Sequence, residues 1–543
     1  MTLDTILING KVYTMDKKRS IKEAIGIKNG RIEKLGTNEE ILSLKDSGTE
    51  IIDLKGNLIL PGFNDSHTHL VNLGYTLTMV GLQGVNSIDE IGKRILDYIE
   101  DHNLKKASWI RGTGWNQDYF QDEKRFPTRF DLDKISTEYP IIITRTCGHV
   151  AVANSLALKL LNITKDTPQI EGGHFDLDES GEPLGIFREN AISLIYNSLP
   201  NPTREETKAM MKMAIKEFHK LGITSVGTDD FEALPNKDYK QILESYLDLR
   251  ENNELNIRVN QQCLLPSIDK LSSFLEEGYN TGWGDENYRI GPLKLLLDGS
   301  LGARTAALTK AYKDDNTTMG IVTMEVEELW KIVEYAHKNN TQVAIHAIGD
   351  RAMYMSMESI ERALKKYPKK DHRHGIVHCQ ITDEVLLNKF KELDLVAYIQ
   401  PIFLDYDWKI VRDRVGVDLE KTSYNWKSLV DKGVNIACGS DAPVETFNVL
   451  YGIYEAVTRK DLQGNPKEGW LPEQGLTVDE AVYGYTLGGA YSTFEEKIKG
   501  SIEEGKLADL VVLSKDIFEI PAEEIKDVEV LTTIFSGRIV YER

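Results

Sequence analysis

Alternation of apolar and polar residues, the period of a strand with one buried face, dominates both ends of the chain. Within the first sixty residues "DTILINGKVYTM", "AIGIKNGRIEKLG" and "EIIDLKGNLILPG" each alternate and are broken by Asn-Gly or Lys-Gly pairs, which favour tight turns. The last stretch repeats the pattern in "KLADLVVLSKD" and "VEVLTTIFSGRIVYE", with Ser-Gly as its turn. Two β-rich ends around a long middle predict one small sheet domain assembled from residues 1–60 and 485–543, because chain termini tend to lie close together.

Between them, over residues 61–484, strand-like runs alternate with helical periods, the signature of βα units on a parallel sheet. After a first strand within Leu58 to Leu70, runs follow at "ITSVGTDD", "IRVNQQCLL", "RIGPLKLLLDGS", "QVAIHAIGD", "HGIVHCQ", "LVAYIQP" and "NIACGSDAP". Eight strands are the count for a (β/α)8 TIM-like barrel. Segments such as "MEVEELWKIVEYAHKNN" and "DRAMYMSMESIERALKKYP", with apolar residues recurring at three and four, supply the helices between them. Roughly 150 residues separate the first strand from the second, far beyond an ordinary βα connection. An inserted mixed β/α subdomain, about 105–200, is therefore expected after strand 1, on the face where barrels carry their active sites.

Composition narrows the partners. A chain of 543 residues with 41% hydrophobic and 28% charged side chains is an ordinary globular protein, too long for one compact domain. A net charge of −20 opposes binding to nucleic acid and to anionic membranes. No run of about 18 apolar residues and no secretory leader is found, so neither membrane insertion nor export is expected. Cys147, Cys263, Cys379 and Cys438 lie far apart without a C-x-x-C pair, which argues against a disulfide framework and fits the cytoplasm. Edge strands in the small sheet leave room for a homodimer.

Chemistry concentrates at strand ends. In "PGFNDSHTHL", His67 and His69 are two apart, so on a strand they point the same way, and two convergent imidazoles suit zinc. Alone, the pair reads equally as two polar residues in a loop. His346 ends "VAIH", His378 ends "GIVH" and Asp441 follows "IACGS", so each closes an apolar run where the catalytic mouth should lie. Lys294 sits among apolar neighbours in "GPLKLLLDGS", where an uncompensated ammonium is costly. Either it pairs with Asp298 as a buried ion pair, or its neutral amine takes up CO2 and becomes a carbamate that bridges two metal ions.

"PGFNDSHTHL", "LKLLLDGSLGARTAAL", "IHAIGDRA", "VHCQ", "IQP", "GSDAPVE" and the closing "GKLADLVVL" together resemble the amidohydrolase superfamily, in its family 3 branch that includes N-substituted formamide deformylases. The resemblance covers nearly the whole chain. It implies a metal-dependent hydrolase with a (β/α)8 barrel and a β-sandwich built from both termini. It further implies that His67 and His69 bind the more buried of two Zn2+ ions with Asp441 close by, that His346 and His378 bind the second, and that N6-carboxylated Lys294 bridges them. Asp441 would move the proton from water to the departing nitrogen. One departure stands out: Val377 precedes His378 where members often carry an acid, which leaves His374, four residues earlier, as a helper.

His149 and Arg304 lie in segments that, by the resemblance, reach over the barrel mouth; each is a candidate for substrate binding or oxyanion stabilisation, against a backbone-bonded loop histidine and an ion pair to Asp298 or Asp350 respectively. Trp115 is either the wall of an apolar substrate pocket or simply core. The expected substrate is a small-molecule amide, an N-formyl or N-acyl amine. A cyclic amidohydrolase or deaminase on the same centre is the second enzymatic reading. The fold also occurs as non-catalytic scaffolds that have lost their ligands, but here all six positions hold competent residues.

Overall fold

The computed structural model describes residues 3–121, 123–146 and 149–543. These fall into two compact units: residues up to Leu73 with Thr207–Ala233 and Lys237–Arg543, and separately Gly74–Glu206 with Leu234–Asn236. The first unit holds β1 (Phe63–Thr68), β2 (Ile223–Asp229), β3 (Arg258–Leu264), β4 (Tyr288–Leu296), β5 (Val343–Ala347), β6 (Gly375–His378), β7 (Val396–Ile399) and β8 (Asn435–Cys438). Each pairs with the next in chain order, all parallel. Every strand falls inside the run predicted for it, save that β4 starts one residue early at Tyr288, and several runs extend three to five residues past the strand they contain. Residues of β2, β6 and β7 are buried without a break, as expected where both faces of a parallel sheet are covered.

The sheet curls back on itself just beyond β8. The Asp441 N–H donates to the His67 carbonyl and the His69 N–H to the Ala442 carbonyl, each at 2.8 Å. Gly439 makes this approach possible, because a Cβ there would lie 2.5 Å from the His67 nitrogen. Helices Val326–Lys338 and Asp350–Lys366 flank β5. The former buries Leu329, Ile332, Val333 and Ala336, a three-and-four spacing that puts one apolar stripe on the barrel, each larger side chain worth about 1.5–3 kcal/mol of burial. A lysine at Ile332 would break that stripe.

Both termini build sheets, as their alternation predicts. One has the order Arg31–Gly36, Ala24–Lys28, Thr5–Ile8, Glu50–Asp53; the other Arg538–Glu542, Val530–Phe535, Leu510–Leu513, Leu58–Pro61, Lys11–Tyr13, Ile21–Lys22. Leu7, Ile25 and Ile27 of the first and Val12, Ile59, Leu510 and Ile534 of the second belong to one apolar cluster. The Asn29-Gly30 and Ser536-Gly537 turns have φ of 49° and 73°, and 49° and 74°, the left-handed pair that a two-residue hairpin needs. Arg258, at the start of β3, donates from Nη2 to Asp509 Oδ1 at 2.9 Å and ties barrel to terminal sheet.

The second unit carries a six-stranded mixed sheet, ordered Gly173–Leu177, Pro183–Glu189, Val150–Ala153, Ile141–Arg145, Ile110–Trp115, Val80–Gly81. It begins at Gly74 rather than near 105, because the two-residue strand Val80–Gly81 pairs with Ile110–Trp115 and brings helix Ile88–Asp101 with it. Two residues are too few to show alternation, so the sequence pattern conceals that strand. Cys263, Cys379 and Cys438 are buried and free; Cys147 lies outside the described residues. Among those residues no helix is long and apolar enough to cross a membrane.

Candidate metal centre

Parallel strands deliver their last side chains to one end of a barrel, and there β1, β6 and the turn after β8 bring His67, His378 and Asp441 together. One donor atom from each lies within 4.8 Å of the others, the single such group among the described residues. Asp441 Oδ1 stands 3.3 Å from His67 Nε2 and 3.1 Å from His69 Nε2. Backbone conformation helps to aim the side chains: His378 and Asp441 have φ of 82° and 61°, values that non-glycine residues adopt rarely and at sites the surroundings over-determine.

The far side of each imidazole is held. His67 Nδ1 donates to Gln262 Oε1 at 2.7 Å, His69 Nδ1 to the Asp229 carbonyl at 2.8 Å and His378 Nδ1 to Gln400 Oε1 at 2.8 Å. With Nδ1 committed outwards, Nε2 is the nitrogen that faces the centre: it donates to Asp441 while it carries a proton and offers a lone pair to a metal when the ring is neutral. The donor set therefore fits a divalent cation. Asp65, in turn, accepts from the Ser440 N–H at 2.9 Å and the His67 N–H at 3.3 Å, fastening the turn that carries Asp441 to β1.

Electrostatics follow the same pairing. Burial opposes charge on Asp441, but hydrogen bonds from His67 and His69 prevail and hold its carboxyl well below the usual carboxylate range. Burial also works against the His69 imidazolium, yet the bond to Asp441 and its charge push that pKa up to about 9. Burial drives His378 well below the ordinary histidine value, with the nearby His346 adding to it. His67 is likewise lowered, by burial first and the Lys294 charge second.

Lys294 and His346 stand beside this group but are engaged elsewhere. Lys294 Nζ lies 3.2 Å from Asp229 Oδ2, both side chains buried; its ion-pair partner is thus Asp229 and not Asp298. His346 Nε2 donates towards the Gly299 carbonyl and Asp298 Oδ1, each 3.2 Å away, while its ring sits 4.3 Å from that of His378. Asp298 accepts from the Ala307, Ile348 and Gly349 amides, which explains its burial without Lys294.

His374 does not support His378: its Nδ1 accepts from the Val343 N–H at 3.0 Å and its Nε2 bonds His337 Nδ1 at 2.8 Å, so it points away from the donor group and Gln400 takes the supporting role. Arg304 pairs with Asp314 at 2.9 Å rather than with Asp298 or Asp350. His149 bonds Glu189 Oε2 at 2.7 Å and is exposed. Trp115 is fully buried in the core of the second unit, beside Phe126. The sequence reading missed Gln262 and Gln400. Gln400 had a signal, an amide closing the apolar run "VAYIQ", where an unsatisfied polar group would be costly; Gln262 lies in the polar stretch "RVNQQC" and had none.

Comparison with known proteins agrees with this architecture. A family model described as amidohydrolase family matches residues 50–541. A Bacillus subtilis (strain 168) protein named as an amidohydrolase, YtcJ, is 32% identical over 98% of both chains. An N-substituted formamide deformylase of Arthrobacter pascens is 26% identical over 99% of this chain and 98% of its own. The crystal structure of an uncharacterized metal-dependent hydrolase from Pyrococcus furiosus superposes with a TM-score of 0.77 at 30% identity, covering 95% of this chain and 100% of that one. The chain belongs to the amidohydrolase family.

Proposed function

We propose that the protein is a metal-dependent hydrolase that cleaves the C–N bond of an N-substituted formamide or a related N-acyl amine. The observation that carries the reading is the donor group of His67, His378 and Asp441, with the imidazoles committed through Nδ1 to Gln262 and Gln400. The similarity to a formamide deformylase along the full chain supports the substrate class. In this reading the two terminal sheets are the small β-sandwich domain of the family and the protein works in the cytoplasm, in accord with three free buried thiols.

Zn2+ is the proposed ion, held by His67, His69, His378 and Asp441. It would supply Lewis acidity at the amide carbonyl and a water that ionises near neutral pH. Asp441 is ionised and bonded to two imidazoles, so it can accept a proton and deliver it to the departing nitrogen, without which an amine leaves poorly. Gln262, Gln400 and the Asp229 carbonyl keep the rings from turning. Phe403 stacks on His378 at 5.9 Å and shields one flank from water. A second ion, bridged by carboxylated Lys294 and bound by His346, requires Lys294 to leave Asp229 and His346 to leave Asp298.

Metal analysis of protein purified without added metal, followed by amine release from formamides, N-acyl amines and cyclic amides, tests this. One equivalent of zinc with formamide turnover supports the centre as drawn; two equivalents add the Lys294 bridge. Opening of cyclic amides alone would move the substrate to the cyclic class. No metal bound after zinc is supplied, and no turnover, overturns the hydrolase reading.

A further inference from the structure

Three more histidines are buried at the base of the barrel, where β5 and β6 begin. His337 lies in the last turn of helix Val326–Lys338, and His372 and His374 lie in the segment that leads into β6. Each is at most 4% exposed. His337 Nε2 lies 2.6 Å from the Tyr367 carbonyl, and its Nδ1 lies 2.8 Å from His374 Nε2. The Val343 N–H donates to His374 Nδ1 at 3.0 Å and the His374 N–H to His372 Nδ1 at 3.0 Å, while His372 Nε2 lies 3.0 Å from the Leu393 carbonyl. This chain of bonds links the start of β5, the entry to β6, the residue that follows helix Asp350–Lys366 and the residue that follows helix Glu384–Glu392.

The partners decide where every proton sits. A nitrogen that accepts from an amide is bare, so Nδ1 of His372 and of His374 carry none; a nitrogen facing a carbonyl must donate, so Nε2 of His372 and of His337 are protonated. His374 then holds its one proton on Nε2 and gives it to His337 Nδ1. All three rings are neutral and every ring nitrogen is engaged. A further proton on any Nδ1 would point at an N–H that already occupies the space, and a buried hydrogen bond would become a buried repulsion.

No nearby acid relieves this. Among the described residues no carboxylate bonds or pairs with the three rings. Asp371 and Glu496 pair with Arg373, and Glu334 pairs with Lys366. Lys369 lies 3.5 Å from Asn340 Oδ1. Burial drives His372 below the ordinary histidine value, against the Leu393 carbonyl and the charge of Asp394; burial drives His374 well below it, with the other two imidazoles and Lys369 adding to it. Nor do the rings converge on a metal, since among the described residues only His67, His378 and Asp441 bring three donors together.

We infer that His337, His372 and His374 form an acid-released latch: neutral, they hold the base of β5 and β6 to two helix ends, and a proton taken up by one of them opens that segment. The rings meet the proton during transient local opening, and a charged ring then resists reclosing. His374 stands four residues before His378, so the opening slackens the strand that carries a histidine of the metal centre. The latch goes beyond the hydrolase reading and does not depend on it.

A ring that is neutral in the fold and free to charge once released contributes stability above about pH 6.5 that is lost as the pH falls below it. Amide hydrogen exchange at Val343 and His374, corrected for the intrinsic rate, is followed in the purified protein from pH 7.5 to 5.5, with the amides of β2 as internal reference. Between pH 6.5 and 5.5 the opening constant should rise about fivefold if one ring is released and about a hundredfold if all three are. The rise should shrink in the double variant His372→Asn with His374→Asn, which puts non-titrating amide oxygens where the two bare nitrogens stand, and the melting temperature at pH 7.5 checks its fold. Unchanged protection down to pH 5.5, an equal rise in β2, or a rise no smaller in the double variant overturns the latch. If that variant does not fold, the wild type decides: exchange at the ring carbon between the two nitrogens, read by mass spectrometry, gives the pKa of each imidazole. Values for His372 and His374 below about 6.5 support the latch, and values at or above it overturn it.

Discussion

At the end of β1 five consecutive polar residues, Asn64 to Thr68, are each at most 4% exposed. One cluster in the inserted unit is the reverse, with Trp115, Phe120 and Leu132 at most 1% exposed among isoleucines and valines. The strand end buries what ordinary folding would leave in water; the cluster buries what folding favours. Buried polar groups survive because each has a designated partner: Asp65 with Ser440, His67 with Gln262, Thr68 with the Ala442 carbonyl. The difference teaches where to look for chemistry, since a row of costly residues needs a reason and a row of apolar ones does not.

Asp441→Asn should break the barrel side of that contrast most severely, with kcat falling about a thousandfold while circular dichroism and the melting curve show an intact fold; retained turnover would detach Asp441 from proton transfer. Trp115→Ala should cost the protein about 3–5 kcal/mol of stability in a denaturant titration. If instead it lowers kcat/KM and leaves stability untouched, Trp115 is substrate wall and the contrast fails. Gln400→Leu should weaken zinc affinity about 10–100-fold by competition with a chelator, because His378 loses the acceptor that fixes its ring; unchanged affinity would make Gln400 mere packing. The smallest effect is expected from Arg304→Gln, whose exposed pairing with Asp314 should leave the melting temperature within about 1 °C, with a larger drop marking a structural role.

The barrel was legible because its strands are short, buried on both faces and closed by polar residues, so His67, His346, His378 and Asp441 each announced a strand end. The terminal sheets were legible because alternation and Asn-Gly or Ser-Gly turns agree. Orientation was not legible. Nothing in "GPLKLLLDGS" says that Lys294 meets Asp229 of β2 and not Asp298 of its own segment, because that choice depends on the register of neighbouring strands. His374 looked like a helper to His378 by spacing along a strand, but β6 starts only at Gly375, so the alternation rule does not reach it. Trp115 offered no periodic signal either way.

Closure of the barrel and of the terminal sheets has a consequence in time. Leu60 pairs with Val511, and the Asp441 amide bonds the His67 carbonyl, so one edge of Leu58–Pro61 and one edge of β1 find their neighbours only when the last strands emerge. At about 5–20 residues per second the roughly 450 residues between Leu60 and Val511 take about 20–90 s to synthesise. For that interval the outer edge of Leu58–Pro61 has no native partner, and the histidines at the end of β1 lack Asp441. The nascent chain must be shielded from wrong pairing by chaperones or by its own early helices, and its reactive centre comes into being as one of the last events of folding, after nearly everything around it has been made.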